Sequence, residues 1–188
     1  MQQEEKLKVA QFIHKNGQSG VTLVETCVAL AVLAVIAGAA APSFGASLIR
    51  HKVEGLATQV RTDIHYARSS AVASNRPLRM SFTSSGAGSC YVIHTGEAGQ
   101  CVCASEGAAQ CEPGAQALKA VFVPSGTAVQ LQANVASIVF DPEHGTASPT
   151  GTIKVVGDQV GAVHDIVNVM GRVRSCSPSP ALPGHTPC

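Results

Sequence analysis

Two arginines separated by one residue, Arg172 and Arg174, follow Gly171 near the end of the chain. In extended backbone, residues i and i+2 project from one face about 7 Å apart, at roughly 3.3 Å of rise per residue. Adjacent guanidinium forks at that spacing engage successive phosphates. Gly171 permits a tight turn that exposes them, and residues 171 to 188 contain no Asp or Glu, so this end of the chain is a cationic patch. Residues 81 to 170 instead carry two basic side chains, Lys119 and Lys154, against seven acidic ones, Glu97, Glu106, Glu112, Asp141, Glu143, Asp158 and Asp165. That stretch repels a polyanion. Arg76, Arg79, Lys119 and Lys154 are accessory candidates for phosphate contact. With no base-reading helix or stacking platform legible, any nucleic-acid binding is expected to be sequence-independent, micromolar or weaker, and strongly salt-dependent. An arginine pair on an exposed edge strand also discourages edge-to-edge aggregation, so spacing alone leaves both roles open.

Glu25 is the second residue of interest, a carboxylate inside an otherwise apolar run from Val21 to Ile49. A carboxylate within a membrane helix costs about 2.5 to 3.5 kcal/mol on insertion scales, so it is retained for a partner or placed where it reaches interfacial water. Seven cysteines complete the reactive inventory, one in the apolar run (Cys27) and six beyond it. An even six points to an oxidising compartment. Cys176 and Cys188 are the natural pair, closing a tail with almost no apolar residues; a loop of this size contributes ~3 kcal/mol in the chain-entropy picture. Pairing among Cys90, Cys101, Cys103 and Cys111 does not follow from spacing. The same cysteines with His94 lack the second C-x-x-C or His pair of a zinc site, so no metal or cofactor is expected. No Gly-x-Ser-x-Gly elbow, His-Glu-x-x-His helix or phosphate loop accompanies the seven histidines, and catalysis is not expected.

The elements that carry these residues follow from composition and periodicity. The chain has 188 residues, 45% hydrophobic and 13% charged, with a net charge of +1 and no tryptophan. That suits one aromatic-poor domain with an appendage and excludes a disordered chain or a global basic field. About 20 apolar residues cross a bilayer, and Lys6, Lys8 and Lys15 precede the apolar run, which places the N-terminus in the cytoplasm and the cysteine-bearing remainder outside. Ala39, Ala40 and Ala41 also permit an ordinary cleaved signal. Beyond Pro42, expected to kink the helix, Ile49, Val53, Leu56, Val60, Ile64, Ala67 and Ala71 form one apolar stripe. Arg50, Lys52, Glu54, Arg61, Asp63 and Arg68 mostly fall off it, and Pro77 ends the helix near Asn75. Strands are expected at 78–83, 90–95, 118–123, 128–131, 137–140, 151–156 and 162–170, with 96–114 a cysteine-bearing loop and 175–188 an irregular tail. The fold class is α+β, an antiparallel sheet packed on the amphipathic half of a long N-terminal helix.

The order Ser19-Gly20-Val21-Thr22-Leu23-Val24-Glu25 resembles the class III signal of type IV prepilins and pseudopilins, with Val21 where phenylalanine is commoner. The resemblance implies cleavage between Gly20 and Val21 by prepilin peptidase, methylation of the Val21 amine, and pairing of Glu25 with the N-terminal amine of a neighbouring subunit. It implies a leader over 1–20, a transmembrane and assembly helix over 21–49, an amphipathic helix over 50–75, a β-rich pilin domain over 76–174 and a disulfide-closed tail over 175–188. Val60 to Met80, with His65-Tyr66-Ala67-Arg68-Ser69-Ser70-Ala71 and Asn75-Arg76-Pro77-Leu78, looks like the GspH/FimT family of minor pilins and pseudopilins. So do Ile138-Val139-Phe140-Asp141-Pro142 with Gly145, and Val167 to Arg174. The FimT-like branch carries a Gly-Arg-x-Arg motif, matched by Gly171-Arg172-Val173-Arg174. Membership in that branch implies DNA binding during uptake for natural transformation, with other pilins and the inner membrane as further partners. The alternative is a structural minor pilin or type II secretion pseudopilin that binds no DNA.

Overall fold

The computed structural model describes residues 20–104 and 107–188, without the side chains of residues 39–43. Most of the leader, residues 1–19, and the expected geometry at Pro42 lie outside that description. Helix α1 (Leu23–Ser74) starts where Thr22 caps it, its hydroxyl oxygen accepting the Glu25 N–H at 3.2 Å. Glu25 thereby occupies the first turn, where the helix dipole favours a carboxylate. The helix stops as Asn75 turns left-handed at φ 49°, with Arg76 N–H donating to the Ala71 carbonyl at 3.2 Å and Asn75 N–H to Val72 at 3.3 Å. This paired C-terminal cap satisfies carbonyls that the approaching Pro77 cannot serve.

The chain divides into two units, Met1–Pro42 and Ser43–Cys188. In the first, Val21, Leu23, Val24, Val28, Leu30, Val32, Leu33, Val35 and Ile36 are all exposed. A continuous apolar surface of this kind is covered by lipid or by other chains in a working protein. Among the described residues no helix is long and apolar enough to cross a membrane. The apolar run continues in the sequence through Ala39 to Ala41, beyond the described side chains.

In the second unit the chain continues as β1 (Leu78–Ser85), β2 (Gly88–His94), β3 (Cys101–Cys103), β4 (Ala109–Cys111), β5 (Ala117–Pro124), β6 (Val129–Ala133), β7 (Ser137–Phe140), β8 (Ala147–Ser148), β9 (Gly151–Gly157), β10 (Gly161–Val167) and β11 (Val173–Cys176). They form a five-stranded sheet ordered β5-β2-β1-β7-β8, a four-stranded sheet ordered β11-β10-β9-β6, and a β3-β4 ribbon, all antiparallel. Alternating burial on β9, with Gly151, Ile153, Val155 and Gly157 buried, marks a strand with one face on the core. Val53, Val60, Ile64, Ala67 and Ala71 of α1 are fully buried in one cluster with Met80, Ile138 and Phe140 of the first sheet and Ile153, Val155 and Val163 of the second.

The expected α+β fold, a long helix packed on antiparallel sheet, is what forms, with its strands divided between two sheets and a ribbon. Two finer expectations are corrected. The loop over 96–114 contains β3 and β4, which disulfides Cys101–Cys111 and Cys90–Cys103 fasten to each other and to β2. These covalent links substitute for the apolar side chains the segment lacks, and they occupy the cysteines weighed for zinc. The strand expected over 162–170 ends at Val167, because Asn168 and Gly171 make a turn and the chain returns as β11, which runs two residues into the tail expected to be irregular over 175–188. Asp63 is an exception among the charges of α1 and lies on the buried face. It accepts the Tyr91 hydroxyl at 2.6 Å through Oδ2 and the Lys119 ammonium at 2.6 Å through Oδ1, and these two donors make its burial tolerable.

Candidate functional site

The Gly171-Arg172-Val173-Arg174 segment sits at the turn between β10 and β11 and on the free edge of the four-stranded sheet. Asn168 organises the turn. Its N–H donates to the Arg172 carbonyl at 3.1 Å, its carbonyl accepts Gly171 N–H at 2.9 Å, and its side-chain oxygen accepts Arg172 N–H at 3.0 Å. Gly171 has φ 67°, and a Cβ there would lie 2.7 Å from the Gly145 carbonyl oxygen and 2.8 Å from Arg68 Cδ. Only glycine fits both the left-handed backbone and the close approach. Arg68 of α1 ties the same corner, its Nε–H donating to the Gly145 carbonyl at 2.7 Å.

Register decides where the arginines point. Ser175 pairs with Asp165 across the β10–β11 ladder, and its hydroxyl donates to Asp165 Oδ1 at 2.5 Å while accepting from Arg61 Nη1 of α1 at 3.2 Å. Val173 and Ser175 therefore face the helix, so Arg174 projects from the opposite face, beside Ile166, its cross-strand partner. Arg172 and Arg174 are both exposed, and among the described residues neither forms an ion pair. The outward face continues through His164 and Lys154, which pair directly across β10 and β9. Among the described residues no Asp or Glu side chain of β9, β10 or β11 lies on it: Asp165 points inward, and Asp158 lies in the β9–β10 turn at the other end of β10, about 20 Å away along the strand. Burial, and then the neighbouring Lys154, hold the His164 imidazole below its ordinary value, so it adds little charge at neutral pH. On the inward side burial raises the Asp165 carboxyl, opposed by the Ser175 hydrogen bond and by Arg61 and His185.

Of the accessory cations, Lys154 shares this face, whereas Arg79 and Lys119 are engaged by internal partners. Arg79 donates to Ser137 Oγ at 2.9 Å and pairs with Glu97 at 3.3 Å, leaving its side chain 14% exposed. Lys119 is held by Asp63. Arg76 is exposed just past the helix end, and Lys154 is half-buried on the outward face with Arg174. Cys176 and Cys188 are bonded as expected, and the tail they close docks through Leu182, buried in the core, and through Ser177, whose hydroxyl donates to the Ala162 carbonyl at 2.7 Å. Reading the sequence missed Asn168 and Arg68 as the residues that hold the arginine turn. The Asn-x-x-Gly spacing signalled the turn locally; nothing local signalled Arg68.

Residues 56–171 match the family described as type II transport protein GspH, and residues 15–41 match the prokaryotic N-terminal methylation motif. The GspH match ends at Gly171, so Arg172 and Arg174 lie just beyond it. Among solved structures, the type IV minor pilin FimU of Pseudomonas aeruginosa strain PAO1, in space group P21, aligns with TM-score 0.51 and 17% identity over 69% of this chain and 95% of that one. The same pilin in space group P65 aligns with TM-score 0.49 and 17% identity over 68% and 98%. At this identity the first alignment speaks for the fold alone. No curated protein matches the chain. A family match running from Leu56 in α1 through β1 to β10 and the arginine turn's glycine covers well over half of the sequence, and on it this chain belongs to the GspH family of pilin-like proteins.

Proposed function

We propose that this protein is a FimT-like minor type IV pilin that binds DNA without sequence specificity through Arg172 and Arg174 and supports DNA uptake in natural transformation. One observation carries the reading: two exposed arginines without ion-pair partners among the described residues, held by a braced turn beside strands whose outward face bears no Asp or Glu side chain. Lys154 shares the face and Arg76 is a further exposed cation; Arg79 and Lys119 are spent on internal partners. With two to three phosphates neutralised, log K against log salt falls with a slope of about −1.8 to −2.7 on duplex DNA.

The anchoring part of the proposal concerns the N-terminal unit. In this reading α1 sits in the inner membrane before assembly, the chain is cleaved between Gly20 and Val21 and methylated at Val21, and Glu25 pairs with a neighbouring subunit's amine on assembly. The pilin domain then faces the periplasm until it enters a pilus. The match to the methylation motif supports this reading, as does the exposed apolar surface of α1.

Fluorescence anisotropy of the full chain in neutral detergent, disulfides intact, against two unrelated DNA sequences tests the function. Equal, salt-sensitive binding to both, lost in the Arg172→Gln plus Arg174→Gln variant, is the expected result. No binding at high protein concentration overturns it and leaves the alternative, a structural minor pilin or type II secretion pseudopilin. That alternative is favoured by the family match itself, which spans the domain yet stops before the arginines.

A further inference from the structure

We infer that Val169 and Met170, at the tip of the β10–β11 turn, contact nucleobases and make this surface favour single-stranded over duplex DNA. The inference rests on the DNA-binding reading and adds to it the form of the ligand. Val169 is 58% exposed and Met170 52%, two adjacent large apolar side chains immediately before Gly171 and Arg172. Val72, also about half exposed, lies beside Gly145, on which the same turn packs.

The tip is held in place rather than free to fold back. Val169's carbonyl accepts the Ala147 N–H at 2.9 Å, Asn168 ties both arms of the turn, and the space beside Gly171 is filled by Gly145 and Arg68. Apolar contact and guanidinium groups are thus presented together, within two residues, at little ordering cost on binding. A single strand offers the matching chemistry: a line of phosphates with unstacked base faces beside it. In a duplex those faces are stacked on one another and reachable only by opening a step. Methionine suits the role, its polarisable thioether making favourable contacts with aromatic rings of varied shape. Charge complementarity selects the occupant, since Arg172 and Arg174 adjoin the apolar tip and residues 171 to 188 carry no Asp or Glu, while in the neighbouring turn around Gly145 Asp141 is paired with His144, leaving Glu143 as the acidic side chain there.

The test uses the full chain in neutral detergent with a fluorescent mixed-sequence 20-mer, single-stranded or as a hairpin-closed duplex, and the variant Val169→Ser plus Met170→Ser. Circular dichroism melting checks that the variant stays folded, as substitutions at exposed positions should. The wild type is expected to bind the single strand about fivefold more tightly than the duplex, and the variant to lose that preference with an unchanged salt slope. Arg172→Gln plus Arg174→Gln instead weakens both ligands and flattens the slope by about 0.7 per lost contact on the single strand. Arginine-dependent binding with no preference for the single strand overturns the inference and leaves the DNA reading standing. The same holds if the apolar variant binds DNA normally but fails to capture other pilin subunits. If the wild type binds neither ligand, both fall.

Discussion

Gly171→Ala is the substitution whose effect the structure specifies most fully. At φ 67° an L-residue costs about 1 to 2 kcal/mol. The new methyl would sit 2.7 Å from the Gly145 carbonyl oxygen and 2.8 Å from Arg68 Cδ. Gly145 cannot retreat freely, because its N–H donates to the Asp141 carbonyl at 3.0 Å and its own carbonyl accepts Arg68 Nε–H at 2.7 Å. Relief therefore strains the turn or breaks the arginine hydrogen bond, adding about 1 to 2 kcal/mol. A total near 3 kcal/mol lowers Tm by roughly 6 to 12 °C in a domain of this size. Gly114→Ala is the control: its φ is 97° but nothing lies within 4 Å of its Cβ position, so only backbone strain is added. Thermal melts by circular dichroism under oxidising conditions compare the two. Equal losses would show that the packing of Gly171 on Gly145 contributes nothing, and a Gly171→Ala melt within about 1 °C of wild type would refute the braced turn altogether.

Further outcomes follow from other contacts of the domain. Tyr91→Phe removes a buried donor to Asp63 while Lys119 remains, and should cost about 1 to 3 kcal/mol, read as a lower denaturant midpoint with unchanged slope. Peptide mapping without reductant should recover Cys90–Cys103, Cys101–Cys111 and Cys176–Cys188. Cys176→Ser with Cys188→Ser should cost ~3 kcal/mol and raise amide exchange across residues 177 to 188. His94 is buried with Nδ1–H donating to the Thr95 carbonyl at 2.9 Å and Nε2 accepting the Ser81 hydroxyl at 2.8 Å. Desolvation outweighs the Thr95 hydrogen bond and, with Arg79 nearby, depresses its pKa. The unfolded state then binds the proton more readily, so the stabilisation is complete above about pH 6.5 and is lost as pH falls through the depressed value. Asp165 acts in the opposite sense, its raised pKa adding stability as pH falls toward the ordinary carboxylate range. NMR titration of the His94 ring protons checks the first shift: a midpoint at or above about 6.5 contradicts it.

The sequence legibly carried what depends on near neighbours. The stripe from Val53 to Ala71 predicted the buried face of α1, because helical periodicity puts those side chains on one side whatever they meet. Pro77 marked the helix end, and β-rich runs between turn residues located β1, β2, β5, β6, β7 and β9 to within a few residues. Cys176 and Cys188 were paired because the tail between them has little else to hold it. Gly171-Arg172-Val173-Arg174 stood out as a cationic motif, with its exposed geometry implicit in the glycine.

Tertiary structure decided the rest, for one physical reason: pairing between distant segments is chosen by register and desolvation, which leave no local trace. Asp63 reads as a surface charge until Tyr91 and Lys119 arrive from β2 and β5 to satisfy it. Arg79 and Lys119 read as free cations until Ser137, Glu97 and Asp63 absorb them. The apolar run into Met170 reads as strand until Asn168 hydrogen-bonds across the turn and leaves Val169 and Met170 at an exposed tip. The residue types for a cationic surface are set by the sequence alone; which arginines remain free, and that they share a face with Lys154 while Asp165 points away, is set by strand register and by the helix packed behind it.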